Sequence, residues 1–286
     1  MLFSDPGRDP DFLCVGTQRA GTTWLAVMLG AHPGAWMPPF KEISFWYRDP
    51  DAIRMHLERM YQAFHGQVQD RRVDLPLLRW WGVLALSEVR DIDWYRSLFS
   101  PAGSRVTGDI TPQYALLDDA QVARVSSRLP DAKVILMLRH PVERAWSQLR
   151  LDQRLGRVAL EAPRAELEPA FERLIFDAFS LQGALHARWR AAVGDERLCV
   201  VFHDEIVEAP ERAFVRVCDH LGLGVPGTAL RKALAQRVNH APGGAMPDWL
   251  RSRLSRRYLA DTRVLGARFP HPVSGWLADM EAWAER

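Results

Sequence analysis

Three groups of residues have types and spacings suited to chemistry on anions. The first is Gly16-Thr17-Gln18-Arg19-Ala20-Gly21-Thr22-Thr23-Trp24, which follows the apolar run Phe12-Leu13-Cys14-Val15 and leads into the apolar run Trp24 to Leu29. A glycine turn between a strand and a helix points free N–H groups and the positive end of the helix dipole at an arriving anion. Gly16 and Gly21 have the spacing of phosphate-loop glycines, but Thr22-Thr23 stands where that loop has Lys-Ser/Thr. The lysine contact that spans the β and γ phosphates of a nucleoside triphosphate is therefore missing. Arg19 is the available cation inside the loop, and a planar guanidinium suits a pair of phosphate or sulfate oxygens.

The second group is Arg139, which ends the apolar run Val134 to Leu138, together with Ser147 eight residues on in the helix opened by Pro141. A triphosphatase would end such a strand in a magnesium-binding aspartate. A guanidinium here faces the crevice where α/β sheets bind ligands, and two separated anion sites predict a ligand phosphorylated in two places. The third group is Lys41-Glu42, enclosed by Pro38, Pro39, Phe40, Phe45 and Trp46. A carboxylate held among apolar groups loses hydration and becomes a stronger base, so Glu42 is a candidate proton acceptor and Lys41 a candidate charge neutraliser. Bland alternatives stand beside each reading: glycines that merely permit a turn, Arg139 paired with a core carboxylate, and an ordinary Lys41–Glu42 salt bridge.

Short β-rich runs alternating with helical patterns position these groups, the pattern of a parallel sheet with helices on its faces. Strands are predicted at 12–16, 105–108, 133–138 and 198–203. Helices are predicted near 22–31, 118–129, 141–155, 169–193, 210–221 and 247–259. Residues 49–100 and 156–168 break the alternation, either as a lid or acceptor-facing segment or as surface decoration. The expected architecture is a single α/β domain over 1–286, a P-loop-like parallel sheet with helical insertions and a helical segment over about 247–286.

With 286 residues the chain can bury a sizeable core, and its 48% hydrophobic and 25% charged content is ordinary for a globular protein. A net charge of +2 gives no argument for nucleic acid. Cys14, Cys199 and Cys218 lack metal-ligand spacing and are expected to be buried thiols in a reducing compartment. No metal site is expected. With no run of eighteen apolar residues and two prolines and two acids among the first ten positions, a cytoplasmic protein without a membrane span is expected. Nothing in the sequence specifies an oligomeric state.

The three groups together resemble the sulfotransferase family that uses 3′-phosphoadenosine 5′-phosphosulfate. Gly16 to Trp24 resembles its 5′-phosphosulfate loop, with Arg19 where many members have lysine, and Leu138-Arg139-His140-Pro141 through Ser147 resembles its 3′-phosphate site. Lys41-Glu42-Ile43-Ser44-Phe45, Asp93-Trp94-Tyr95 and Gly108-Asp109-Ile110-Thr111-Pro112-Gln113-Tyr114 look like the heparan sulfate sulfotransferase branch and its bacterial relatives, whose glutamate at the position of Glu42 is the catalytic base. Val200 to Ile206 and Leu221-Gly222-Leu223 resemble the late strand and the end of the helix after it. Two departures stand out. His140 replaces a frequent Asp or Asn, and residues 239–244, Asn-His-Ala-Pro-Gly-Gly, replace a basic Lys-Gly-Arg segment, leaving Arg237 or the Gly243-Gly244 backbone as substitutes.

The resemblance implies sulfuryl transfer to a hydroxyl of a saccharide or small-molecule acceptor, without a metal and with 3′-phosphoadenosine 5′-phosphate as product. Glu42, Arg19 and Lys41 would act at the transferring group. Gln18 to Trp24, Arg139 and Ser147 would hold the donor. A non-catalytic nucleotide-binding protein is the alternative reading, and the presence of Glu42 argues against it. Trp80, Trp81, Trp46 and Tyr114 are either core residues or a stacking surface for the acceptor.

Overall fold

Four apolar runs form strands β1 (Phe12–Gly16), β2 (Gly108–Ile110), β3 (Lys133–Leu138) and β4 (Leu198–Phe202) in a computed structural model that describes residues 7–47, 50–69, 74–87, 90–174, 177–224, 227 and 244–285. All four are parallel, in the order β2-β1-β3-β4. Successive residues of a strand face opposite sides of its sheet, and β3 follows that rule. Val134, Leu136 and Leu138 enter one core, while Ile135 and Met137 enter another.

The first core is covered by α5 (Asp119–Arg128) and α8 (Gln182–Arg197) through Val122, Val125, Leu185 and Trp189. The second is covered by α1 (Thr22–Gly30) and the helix Pro210–Leu221 through Leu25, Met28, Phe214 and Val217. Helices thus lie on both faces, as a sheet buried on both sides requires. Each such fully buried side chain contributes about 1.5–3 kcal/mol.

The strand order fixes where a ligand can sit. From β1 the chain leaves toward β2 on one side, and from β3 it leaves toward β4 on the other. The carboxyl ends of β1 and β3 therefore border the crevice characteristic of open α/β sheets. Beyond β3, α6 (Pro141–Arg154) packs Val142, Trp146 and Leu149 against α7 (Arg164–Leu174) and the C-terminal helices Asp248–Arg268 and Pro270–Ala284.

Two elements differ from expectation. The second strand begins at Gly108, because Val106 is engaged on the outer side by a bridge to Ala35 and by the Trp36 N–H at 2.8 Å. Gly108 is required there: a Cβ would come within 2.4 Å of the Phe12 ring. The predicted helix 169–193 is divided into α7, a single 3-10 turn at Asp177–Phe179 and α8. Tertiary bonds explain the break: the Asp177 carboxylate accepts from Tyr258 Oη at 2.8 Å and from Arg257, while Ser180 N and Leu181 N fold back on the Asp177 carbonyl.

Within 49–100 the chain forms α2 (Pro50–Gln69), α3 (Leu75–Leu86) and α4 (Ile92–Ser97), helical as the expected insertions were. Trp80 and Trp81 are only 1% and 5% exposed and belong to the first core. Their indole N–H groups donate to Leu98 O and Gln67 Oε1. The core reading of these tryptophans holds, and Tyr114 is likewise buried. Among the described residues no helix is long and apolar enough to cross a membrane.

Candidate active site

The loop after β1 is shaped by a bulge. Cys14 pairs with Ile135 and Gly16 with Leu136, so one residue of β1 is extra in the ladder, and such a bulge bends its strand. Gly16 then takes φ +135° and Gly21 φ +106°, values that favour glycine. Thr17 ties the loop to β3, donating from its N–H at 2.6 Å and from Oγ1 at 3.1 Å to Met137 O. Helix α1 starts behind Gly21 with no side-chain cap. The N–H groups of its first turn have no helical acceptor, which makes this end an anion receptor.

Around that end lies a cluster of guanidinium groups. Arg19 donates from Nε to Ser147 Oγ at 3.1 Å, and Arg139 Nη1 donates to Arg19 O at 3.2 Å. Gln182 fixes the Arg139 backbone on both sides, accepting its N–H at 3.2 Å and donating to its carbonyl at 2.7 Å. Arg144, one turn along α6, is fully buried and donates from Nε to Ser180 Oγ at 2.6 Å.

Electrostatics in the cluster are strained in one direction. Burial lowers the Arg19 pKa, and the nearby Arg154 and Arg150 lower it further. Arg139 is pushed down to about 10 chiefly by burial, with Glu143 opposing and Arg19 and Arg150 assisting. Burial likewise pushes Arg144 down to about 10. Among the described residues neither Arg19 nor Arg139 forms an ion pair, and no core carboxylate among them partners Arg139. Buried cations without counter-ions are costly, and a polyanion seated at the helix end would supply the missing charge.

A second cluster holds the other predicted residues. The segment after α1 runs along the outer edge of β2, and Glu42 N donates to Ile110 O at 2.9 Å. Glu42 and Ser44 both have left-handed φ, 68° and 59°. The Glu42 carboxylate is buried, with Lys41 Nζ 3.2 Å from Oε1 and Gln113 Nε2 3.2 Å from Oε2. Lys41 Nζ also donates to Thr23 Oγ1 at 3.0 Å, which joins the carboxylate to the first turn of α1. The Lys41–Glu42 salt bridge is therefore real, and it sits at the mouth of the loop.

Beneath it lies the buried Asp109 carboxylate. Tyr114 Oη and Thr111 Oγ1 donate to it at 2.6 Å each, and Tyr95 Oη at 3.1 Å. Thr111 Oγ1 in turn accepts the Ser44 N–H at 3.3 Å. Burial pushes the Asp109 pKa up, and these hydroxyls with the Ile43 N–H pull it back.

The predicted residues thus fall into two joined sets, Arg19 with Arg139 and Ser147, and Lys41 with Glu42 and Thr23. Gln18 is half-buried at the loop tip, and Thr22 is buried at the helix start. Ala20 and Trp24 turn into the second core, Trp24 edge-on to Phe214 with ring centroids 6.0 Å apart. Neither side chain is left to meet a ligand; the Ala20 N–H donates to Thr17 O at 3.3 Å, and the Trp24 N–H lies in the first turn of α1. Arg237 and Gly243 lie outside the described residues.

Sequence reasoning assigned no role to Gln113, Asp109, Gln182 or His203. His203 follows β4, its ring 3.9 Å from a Cβ built on Gly21, and burial and Arg139 push its pKa down to about 4. The one available signal was position, since Asp109, Gln113 and His203 lie at or just past the carboxyl ends of strands.

A parallel sheet with a glycine-flanked helix end that has no side-chain cap, guanidiniums on one side and a lysine–carboxylate pair on the other, defines an α/β protein whose charged groups gather at the carboxyl ends of its strands. The chain belongs to the sulfotransferase family, whose model matches residues 10–227. It is 27% identical over 172 residues to the membrane-associated sulfotransferase kil1 of Dictyostelium discoideum, covering 59% of this chain and 28% of that protein. It is 29% identical over 143 residues to the human bifunctional heparan sulfate N-deacetylase/N-sulfotransferase 1, covering 49% of this chain and 12% of that one. The chain thus spans well under half the length of these relatives. A crystal structure of a sulfotransferase from Alicyclobacillus acidocaldarius shares the fold, with a TM-score of 0.65 at 23% identity over 94% of this chain and 98% of that one. A sulfotransferase domain from the curacin biosynthetic pathway does so with a TM-score of 0.55 at 18% identity, over 81% and 80% of the two chains.

Proposed function

We propose that this protein transfers the sulfuryl group of 3′-phosphoadenosine 5′-phosphosulfate to a hydroxyl of a saccharide or small-molecule acceptor, with Glu42 as the base. The observation that carries the reading is the pair of guanidiniums, Arg19 and Arg139, set without ion pairs among the described residues beside the uncapped N-terminus of α1. A donor with phosphates at both its 5′ and 3′ positions matches that extended cationic surface better than a single phosphate chain does.

In this mechanism the N–H groups of Gly21, Thr22 and Thr23 hold the 5′-phosphate. Arg139 and Ser147 hold the 3′-phosphate, and Arg19, which bonds Ser147 Oγ, spans from that site to the transferring group, where it acts with Lys41. Glu42 removes the proton from the acceptor hydroxyl as that oxygen bonds to sulfur. The bond from sulfur to the 5′-phosphate oxygen breaks, and its electron pair stays on the phosphate, giving 3′,5′-bisphosphorylated adenosine. Lys41, 3.2 Å from Glu42 and 3.0 Å from Thr23 Oγ1, is placed to neutralise charge on the moving group and the leaving oxygen. Positioning and fixed dipoles carry the rate enhancement.

The acceptor body fits a cavity of about 270 Å³ beside Lys41, whose walls include Val27, Met37, Pro39, Phe40 and Ile43. Those walls support an acceptor with an apolar face next to its hydroxyl. The three buried free thiols support a reducing, cytoplasmic setting, and a single catalytic unit over 1–286 completes the reading. Thermal-shift titration tests donor choice: 3′-phosphoadenosine 5′-phosphate should raise the melting temperature far more than ATP with magnesium, and the reverse order would refute the assignment. A transfer assay with a sulfur-labelled donor across sugars, phenols and alcohols then tests the acceptor.

A further inference from the structure

A second cavity, of about 280 Å³, opens where the segment carrying Phe45 and Trp46 meets α4 and α5, and it shares no lining residue with the loop cluster or the Lys41 cavity. Three guanidiniums line it: Arg90, Arg124 and Arg128. Arg124 and Arg128 are exposed and four residues apart on α5, so they share a helix face and repel each other. Neither has an ion pair or a side-chain hydrogen bond among the described residues. The nearest acids of α5 are engaged elsewhere, Asp119 with Arg188 at 2.7 Å and Asp118 in capping the helix through Gln121 N.

Arg90 is held with its guanidinium carbon 5.5 Å from the Trp94 ring centroid. The single carboxylate among the described lining residues, Asp91, accepts the Trp94 N–H at 2.9 Å and caps α4. The opposite wall is aromatic and fixed. Phe45 stacks on Tyr95 with centroids 4.5 Å apart and an interplanar angle of 12°, and Trp46 stands edge-on to Phe45 at 4.8 Å.

We propose that this cavity is a binding site for a ring-bearing organic anion, its sulfate or carboxylate group held by Arg124 and Arg128 and its ring laid against Phe45 and Trp46. Paired guanidiniums suit the oxygens of a sulfate or carboxylate, and an aromatic wall suits a flat or sugar-like ring. The volume, close to the lower end of ligand pockets at roughly 300 Å³, admits one ring. This proposal stands independently of the donor and base assignments above.

Titration calorimetry with phenyl sulfate, inorganic sulfate and phenol on the full chain provides the test. Phenyl sulfate should bind more tightly than either fragment, and its affinity should fall as salt rises. The exposed double variant Arg124→Gln/Arg128→Gln should keep the wild-type melting temperature and lose at least tenfold in affinity, with Arg128→Gln alone losing part of it. Arg19→Gln, in the loop cluster, should bind phenyl sulfate as the wild type does. Absence of phenyl sulfate binding would overturn the proposal. So would binding that survives the double variant, disappears in Arg19→Gln, or is matched by inorganic sulfate or phenol.

Discussion

Arg19 Nε donates to Ser147 Oγ at 3.1 Å, joining the loop after β1 to the helix after β3 across 128 positions of sequence. Arg139 closes the link from the other side by donating to the Arg19 carbonyl at 3.2 Å. The two anion sites expected separately from the sequence are therefore neighbours in one cationic surface. Arg19 belongs to both. Its φ of 72° turns the loop so that its side chain lies toward α6, while Lys41 takes the side toward Glu42.

If Arg19 spans the donor in this way, its loss should weaken both binding and turnover. Arg19→Ala is expected to lower kcat/KM by roughly 10²–10³, the scale of one deleted oxyanion contact. Arg19→Lys should retain part of the rate but bind 3′-phosphoadenosine 5′-phosphate less well, because an ammonium cannot make the paired, planar contacts of a guanidinium. Steady-state kinetics with calorimetry of the product nucleotide separates the two effects.

Glu42→Gln isolates the proton transfer. Glutamine keeps the shape beside Lys41 and Gln113, so product-nucleotide affinity should stay within a factor of about three while turnover falls roughly 10²–10⁴, the usual contribution of a general base. Near-normal transfer by this variant would remove Glu42 from the mechanism. Gln113→Ala, which deletes the 3.2 Å contact to Oε2, should lower kcat less than Glu42→Gln does and leave donor KM unchanged. Single-turnover rates distinguish a positioning effect from slow product release.

The sequence made the sheet legible because β1, β3 and β4 are apolar runs whose bounds follow from composition alone. The glycine turn after β1 and the place of Arg139 at the end of β3 were legible because each is set by an apolar run and the residues directly after it, whereas the partner of Ser147 is Arg19 from the loop. What stayed hidden depends on tertiary neighbours. The break between α7 and α8 comes from Asp177 meeting Tyr258, eighty-one residues away. The place of β2 is set by the Phe12 ring over Gly108. The direction of Arg19 toward Ser147 needed the register of β1 against β3, bulge included. Gln113 carried no signal beyond its place after β2.

The Asp109 network predicts a stability effect with a functional echo. Tyr114→Phe and Tyr95→Phe each remove a hydroxyl donor to a buried carboxylate, worth about 1.5–3 kcal/mol for a bond to a charged group. The three hydroxyls share one acceptor, so the double variant should depart from additivity in a mutant cycle. Thr111 bonds both Asp109 and the Ser44 N–H. Thr111→Val should therefore lower kcat through misplacement of Glu42, beyond its effect on the denaturation midpoint in urea.

His140 gives the protein an acid-sensitive element. Its ring lies between Trp276 and Trp283, at centroid distances of 5.9 and 5.2 Å, and among the described residues neither ring nitrogen has a hydrogen-bond partner. Burial, reinforced by Arg139, pushes its pKa from 6.5 down to about 4. Between these values the unfolded chain binds the proton and the folded chain does not. Unfolding stability therefore rises with pH through this window and is lost as pH falls from 6.5 toward 4. For one such histidine the loss between pH 7 and pH 5 is about 2 kcal/mol. His140→Asn, which does not titrate, should show a correspondingly shallower decline in urea stability across that interval. An unchanged slope would mean that the imidazole is protonated in the folded protein, in conflict with its place between two indoles and next to Arg139.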